Sequence, residues 1–190
     1  MQTNYLVISA GAATSDLLKS TGVRIPVKES PGVLVRTKPV EKVLGRIVWG
    51  PGNFHAKQYS DGRILAGIGF KPPETMPHPE VLKRFRDFPD ERLRAAHGNR
   101  ILEKLAGYFP KASGASIERV SLGWRPIPGD GLPVSGFVDK NRKIYVSVAH
   151  SGITLAPILG KLAAQEITSG VEVSTLTPFR PDRFKTVAFG

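Results

Sequence analysis

Ala149-His150-Ser151-Gly152-Ile153-Thr154-Leu155-Ala156-Pro157 carries the chain out of a strand and into a helix within a few residues. Upstream, Lys143–Ala149 alternates and branches as a strand does. Downstream, Leu155, Ile158, Leu159, Leu162, Ala163 and Ile167 recur at helical spacing, so a helix is predicted over Gly152–Ser169, ended by Gly170. Ser151 or Thr154 is placed to cap it, and Pro157 is tolerated in a first turn. Gly152 lets a ligand approach the backbone. Such a start offers unpaired amides and the positive end of a dipole, which favours an anion. An ordinary strand-to-helix turn has the same requirements, so this stretch alone leaves both readings open.

Working outward, Asn4–Ala10 reads as a buried-type strand. A short helix over Ser15–Thr21 follows, with Ser15 or Thr14 as its cap and Gly22 closing it. From Pro26 to Phe70 the pattern changes to alternation and turns. Val33–Val35, Arg46–Trp49, Phe54–Tyr59 and Arg63–Ile68 are predicted strands, the last two joined through Ser60-Asp61-Gly62 as an antiparallel hairpin. Prolines 72, 73, 77 and 79 make Lys71–Pro79 a loop. Residues 80–107 are predicted helical with a break near Pro89, Ile117–Trp124 a strand, and Pro126–Pro133 a loop. This order predicts an α+β fold: a mixed, largely antiparallel sheet beside a small α/β remnant. One strand and helix at each end cannot bury both faces by themselves.

Composition removes several classes of function. The chain has 190 residues and no cysteine, so disulfide frameworks, thiolate metal sites and thiol chemistry are excluded. No apolar run approaches the ~20 residues of a membrane span. The opening MQTNYLVISAGAA imitates a secretory signal, but no Lys or Arg precedes Lys19 and its apolar part is short, so a cytoplasmic protein is expected. A net charge of +11 and a pI near 10.1 favour an anionic partner. The basic residues are dispersed, and between 79 and 104 they are interleaved with Glu80, Asp87, Asp90, Glu91 and Glu103. No nucleic-acid-binding motif accompanies them, so a small anion such as a carboxylate or diphosphate fits the same field.

Two further motifs need weighing. Gly67-Ile68-Gly69 begins like a dinucleotide fingerprint, but Lys71-Pro72-Pro73 falls where the phosphate-binding helix must start. Histidines 55, 78, 97 and 150 are scattered without ligand spacing, so no metal site is predicted. More telling is Gly123-Trp124-Arg125-Pro126, followed by Gly129-Asp130-Gly131-Leu132-Pro133-Val134-Ser135-Gly136. Arg125 is read at a strand end, where its planar fork suits a carboxylate. A salt bridge between domains or a solvated strand end accounts for it as well.

Taken in order, Ala10-Gly11-Ala12, Asp61-Gly62-Arg63, Arg125–Gly136, Ala149–Pro157 and Pro178-Phe179-Arg180-Pro181-Asp182-Arg183-Phe184 resemble the D-amino-acid-oxidase-like FAD-dependent oxidoreductases, in their C-terminal half. The resemblance spans residues 4–184. It implies residues 1–25 as a strand-helix remnant of the FAD domain and 26–126 as a substrate-binding sheet with a helical insert at 79–107. Residues 127–170 then return to the FAD domain, and 171–190 form a tail. It also implies an amino acid or amine as substrate, oxidised at its C–N bond to an imine with FAD as acceptor. On this resemblance Arg125 would clamp the substrate carboxylate. His150, Ser151, Gly152, Ile153 and Thr154 would lie along the flavin's pyrimidine edge, Ala10 and Gly11 would pass close to the dinucleotide, and His55 would line the substrate face.

The family opens with a βαβ unit bearing G-x-G-x-x-G and an acidic residue for the ribose, and this sequence has neither. Either the chain is truncated or split, with a missing N-terminal FAD-domain polypeptide as its partner, or it is a fragment of a longer one; on its own it is expected to bind FAD weakly or not at all. Two other readings stand beside it: a non-catalytic remnant or subunit that binds a carboxylate ligand, and a basic nucleic-acid-binding protein.

Overall fold

The computed structural model describes residues 2–68 and 87–184. The chain divides into two units, one of Met1–Glu29 with Arg125–Gly190 and one of Ser30–Trp124.

In the first unit, strand β1 (Leu6–Ile8) leads through a 3-10 turn at Gly11–Ala13 into helix α1 (Thr14–Leu18). Gly22 closes the following turn at φ 74°, where a side chain would be strained, as predicted. The predicted caps are not used. Ala13 occupies the N-cap, Ser15 donates instead to the Ile25 carbonyl at 2.6 Å, and Thr14 is fully buried. A buried hydroxyl in the first turn serves packing rather than capping.

The C-terminal part adds β7 (Val134–Phe137), β8 (Ile144–Val148) and helix α3 (Gly152–Ser169). β1 pairs parallel with β8, which pairs antiparallel with β7, giving the order β1-β8-β7. Ile8, Leu18, Ile25, Val134, Val138, Val146 and Val148 form the core of this sheet. α3 has the predicted bounds, and Gly170 ends it at φ 70°. Its buried face is the expected one except at two positions, with Leu155 and Ile167 partly buried. Leu159, Leu162, Ala163 and Glu166 are buried, whereas Ile158 is exposed. Pro157 falls in the second turn, not the first.

Glu166 is an inner residue because its charge is fully engaged. Arg180 grips both carboxylate oxygens (Nη1 to Oε2 at 2.8 Å, with Nη2 on Oε1), the Val173 amide donates at 2.6 Å, and Tyr145 donates its hydroxyl at 2.9 Å. Burial alone would raise the Glu166 carboxyl, but the bonds from Arg180, Val173 and Tyr145 outweigh it and hold it below the ordinary value. Tyr145 is pushed up to about 12, chiefly by its own burial.

The second unit is built on a sheet of order β3-β4-β5-β2-β6. Its strands are β2 (Val27–Thr37), β3 (Val48–Gly50), β4 (Phe54–Gln58), β5 (Ile64–Ile68) and β6 (Ile117–Pro128). The β4–β5 hairpin turns through Ser60-Asp61-Gly62 as predicted, with Gly62 at φ 86°. One face of the sheet, with Val33, Val35, Phe54, Ala56, Ile64 and Ala66, packs against Ile101 and Leu105 of helix α2 (Glu91–Tyr108). Asp90 caps α2 by accepting from the Leu93 amide at 2.7 Å. The expected loop at Lys71–Pro79 and the first part of the expected helix lie outside the described residues.

Two strand readings are corrected. β2 begins at Val27 rather than Val33. β6 runs through Arg125 to Pro128, where a loop was expected. β6 is an edge of the described sheet, and an edge strand tolerates prolines whose missing amides need no partner. Arg125 therefore lies within a strand, not beyond its end. Among the described residues, no helix is long and apolar enough to cross a membrane. Nor does any group of three His, Asp or Glu among them have the arrangement to hold a metal ion.

Candidate active site

The start of α3 is built by a short connection. β8 ends at Val148, Ala149 is buried, and the chain turns through His150 and Ser151 into the helix. Neither predicted cap forms: Ser151 occupies the N-cap position but makes no side-chain capping bond, and Thr154 lies inside the helix. The first helical bond runs from the Leu155 amide to the Ser151 carbonyl at 3.0 Å. The amides of Gly152, Ile153 and Thr154 precede it, so the start of an 18-residue helix keeps its donors and its dipole for another acceptor. A Cβ on Gly152 would meet nothing within 4 Å. Ile153 is 95% exposed, an unusual place for so apolar a side chain.

Beside this start lies a cleft of about 610 Å³. β1 contributes Val7 to it, Ser9 follows, and Gly11 and Pro126 form part of its wall. His150, Gly152 and Ile153 line it at the helix start. Gly11 takes φ 56°, a conformation that favours glycine. Along the helix the lining continues through Ala156, Gly160 and Ala164. With Gly152 these form a stripe of small residues at i, i+4 spacing, which lets a neighbouring surface approach the helix backbone. The sequence reading missed that role, although the spacing is visible in the residues themselves.

Arg125 and His150 are brought together within the same unit. Burial lowers the His150 pKa below the ordinary imidazole value, and the charge of Arg125 lowers it further. Arg125 is itself half-buried, and burial lowers its pKa as well. A partly desolvated guanidinium, whose charge reaches the His150 ring, suits an anion with hydrogen-bonding oxygens. Of the other expected site residues, Ser151 and Thr154 are at the helix start but outside the cleft lining, and Ala10 adjoins Gly11. His55 belongs to the second unit, on β4.

The donor set fits the hydrogen-bond-accepting edge of a flavin ring, where negative charge builds up on reduction. It consists of uncapped helix amides, an open glycine and a small-residue wall, with no acidic side chain in the cleft lining.

The chain is similar to known proteins along most of its length. The family described as DAO, FAD dependent oxidoreductase, matches residues 2–166. Glycine oxidase of Pseudomonas putida is 28% identical over 93% of this chain, which spans 45% of that relative. Glycine oxidase of Pseudomonas aeruginosa is 29% identical, again over 93% of this chain and 45% of the relative. Among solved structures, glycine oxidase from Geobacillus kaustophilus superposes with a TM-score of 0.75 at 23% identity, covering 98% of this chain and 46% of that one. L-proline dehydrogenase from P. horikoshii gives 0.77 at 20% identity, covering 97% and 48%. The chain thus spans less than half the length of the curated relatives it matches. It belongs to the DAO family of FAD-dependent oxidoreductases.

Proposed function

We propose that this chain carries the flavin-edge and substrate-binding part of an FAD-dependent oxidoreductase acting on the C–N bond of an amino acid or amine. The observation that carries the reading is the uncapped start of α3 opening into a cleft beside Arg125 and His150. When bound, the flavin supplies a two-electron acceptor for the hydride leaving the carbon that bears nitrogen. The Gly152, Ile153 and Thr154 amides and the helix dipole stabilise negative charge at the ring edge they face. Arg125 binds the substrate carboxylate through its planar fork, and Gly11 lets the dinucleotide pass close to the backbone.

In this reading residues 1–25 and 127–170 belong to the FAD domain, 26–126 to the substrate-binding sheet and 171–190 to a tail. The nucleotide-binding part of the fold packs on β1, whose Leu6 and Val7 point to opposite faces and are 48% and 50% exposed. The test is spectroscopic. The purified chain, titrated with FAD, is expected to form no stoichiometric yellow complex. Supplied in trans with the N-terminal half of P. putida glycine oxidase, it is expected to yield a flavin band that an amino acid bleaches without oxygen. A stoichiometric complex with the chain alone removes the need for a second polypeptide. A complemented flavoprotein that no amino acid or amine reduces overturns the activity.

A further inference from the structure

A second cavity lies within the first unit and shares no lining residue with the cleft at the start of α3. It measures about 810 Å³, in the range of roughly 300–1,000 Å³ that holds small molecules. Val23, Ile25 and Val27 line it from the segment that follows α1, and Val138, Pro181 and Phe184 from the C-terminal part of the unit.

Both walls are held by contacts that need no ligand. Ser15 Oγ donates to the Ile25 carbonyl at 2.6 Å, and the Gly129 amide donates to the Pro26 carbonyl at 2.8 Å. A Cβ on Gly129 would lie 2.9 Å from Pro26 Cγ and 3.6 Å from Phe184 Cε1, so the two walls converge there. Opposite them the Val138 amide donates to the Ile144 carbonyl at 2.9 Å. Arg183, clasped by Asp130 at 2.7 Å, stands 4.4 Å over the Phe184 ring. A cavity with fixed walls leaves little ordering cost to be met on binding.

The mouth sets the sign of the ligand. Ile25, Val138 and Pro181 are buried, whereas Lys19 and Arg24, the charged residues of the lining, are exposed. No acidic side chain is among the described residues that line the cavity. Lys19 is shared with Asp16 at 2.6 Å, which leaves Arg24 as the main charge for a ligand. Aliphatic walls below a cationic mouth fit a molecule apolar along its length and anionic at one end. A compact polyanion would leave the aliphatic walls unused, and a cationic amphiphile would meet like charge at the mouth.

We propose that this cavity binds an alkyl carboxylate of the fatty-acid class, its chain against the two aliphatic walls and its head group at Arg24. The site is separate from the flavin-edge cleft, and its chemistry does not depend on the activity proposed above.

Decanoate, kept below its micelle concentration, is the probe. In the full chain with methyl-labelled valine, it is expected to shift Val23, Val27 and Val138 saturably. Val33 and Val35, in the core of the second unit, stay in place. Butyrate, too short to fill the cavity, and decyltrimethylammonium, of opposite charge, are each expected to bind at least roughly tenfold more weakly. Arg24→Glu weakens decanoate binding roughly tenfold, whereas Arg24→Lys retains most of it. Arg24 is exposed, so neither exchange disturbs the core. The proposal is overturned by the absence of a saturable shift at the three valines, by decyltrimethylammonium binding as tightly as decanoate, or by Arg24→Glu binding as wild type. Shifts confined to Val7 and Val148, which line the other cleft, overturn it as well. So does decanoate binding that appears only after residues 185–190 are removed, which would assign the cavity to the chain's own tail. The titration contains no flavin, so its failure leaves the flavoenzyme reading intact, and a failure of FAD binding leaves this titration unchanged.

Discussion

Asp130 and Arg183, fifty-three residues apart, form a two-pronged ion pair, with Nε on Oδ2 at 2.7 Å and Nη2 on Oδ1 at 3.1 Å. The same guanidinium reaches the carbonyls of Leu132 and Pro133 at 3.2 and 2.9 Å. Two motifs that look functional in the sequence, the Asp-Gly turn and the closing Arg-Phe pair, are thereby shown to be one structural clasp. Asp130→Asn is expected to weaken it by about 1–2 kcal/mol, since the pair is only partly buried. Hydrogen exchange over residues 171–184 checks this: faster exchange there with an unchanged β4–β5 hairpin is the expected pattern.

Glu166 is fully buried and held by Arg180, the Val173 amide and Tyr145. Glu166→Gln keeps the shape and leaves Arg180 without its counter-charge, so a loss of about 3–5 kcal/mol is expected. The carboxyl's folded pKa is lowered, so its contribution is present above the ordinary value of 4.5 and is lost as pH falls through the depressed one. Urea midpoints measured between pH 7 and 3 should fall less steeply in the variant. Equal slopes would show that the pair contributes nothing.

His97, 4% exposed and packed against Phe88 with rings 5.8 Å apart, has its pKa lowered by burial and then by the charge of Arg100. The folded protein favours the neutral ring, so this contribution is present above pH 6.5 and is lost as pH falls from there through the depressed value. His97→Phe removes the titrating group. Its stability is expected to change less between pH 7.5 and pH 5.5 than that of wild type, as chemical denaturation would show.

Arg125→Ala, introduced into the flavoprotein completed in trans, is expected to lower kcat/KM for carboxylate substrates by about a hundredfold. Arg125→Lys recovers little of this, because a point charge does not reproduce the planar fork. Steady-state kinetics with an amino acid and with the corresponding amine separates the role: the amine should be nearly indifferent. An unchanged value for the amino acid would remove Arg125 from the site.

What the sequence by itself determined was local. Helical spacing from Leu155 to Ile167 and a glycine free to turn left-handed placed α3 at Gly152–Ser169, and Gly22 and Ser60-Asp61-Gly62 marked their turns. These features are set by neighbours within one or two turns of chain, so the residues alone suffice to read them. The tertiary structure decided what depends on distant partners. β6 continues through Pro126 and Pro128 because it is an edge, and β7 forms because β8 is there to pair with it. Ser151 leaves the helix start uncapped. Glu166 turns inward, in place of Ile158, because Arg180 lies across the fold to neutralise it. Arg125 comes within electrostatic reach of His150 only once β6 and the connection from β8 to α3 are placed. A buried charge or an edge proline is unfavourable judged by its neighbours in sequence, and only the partner supplied by folding reverses that balance.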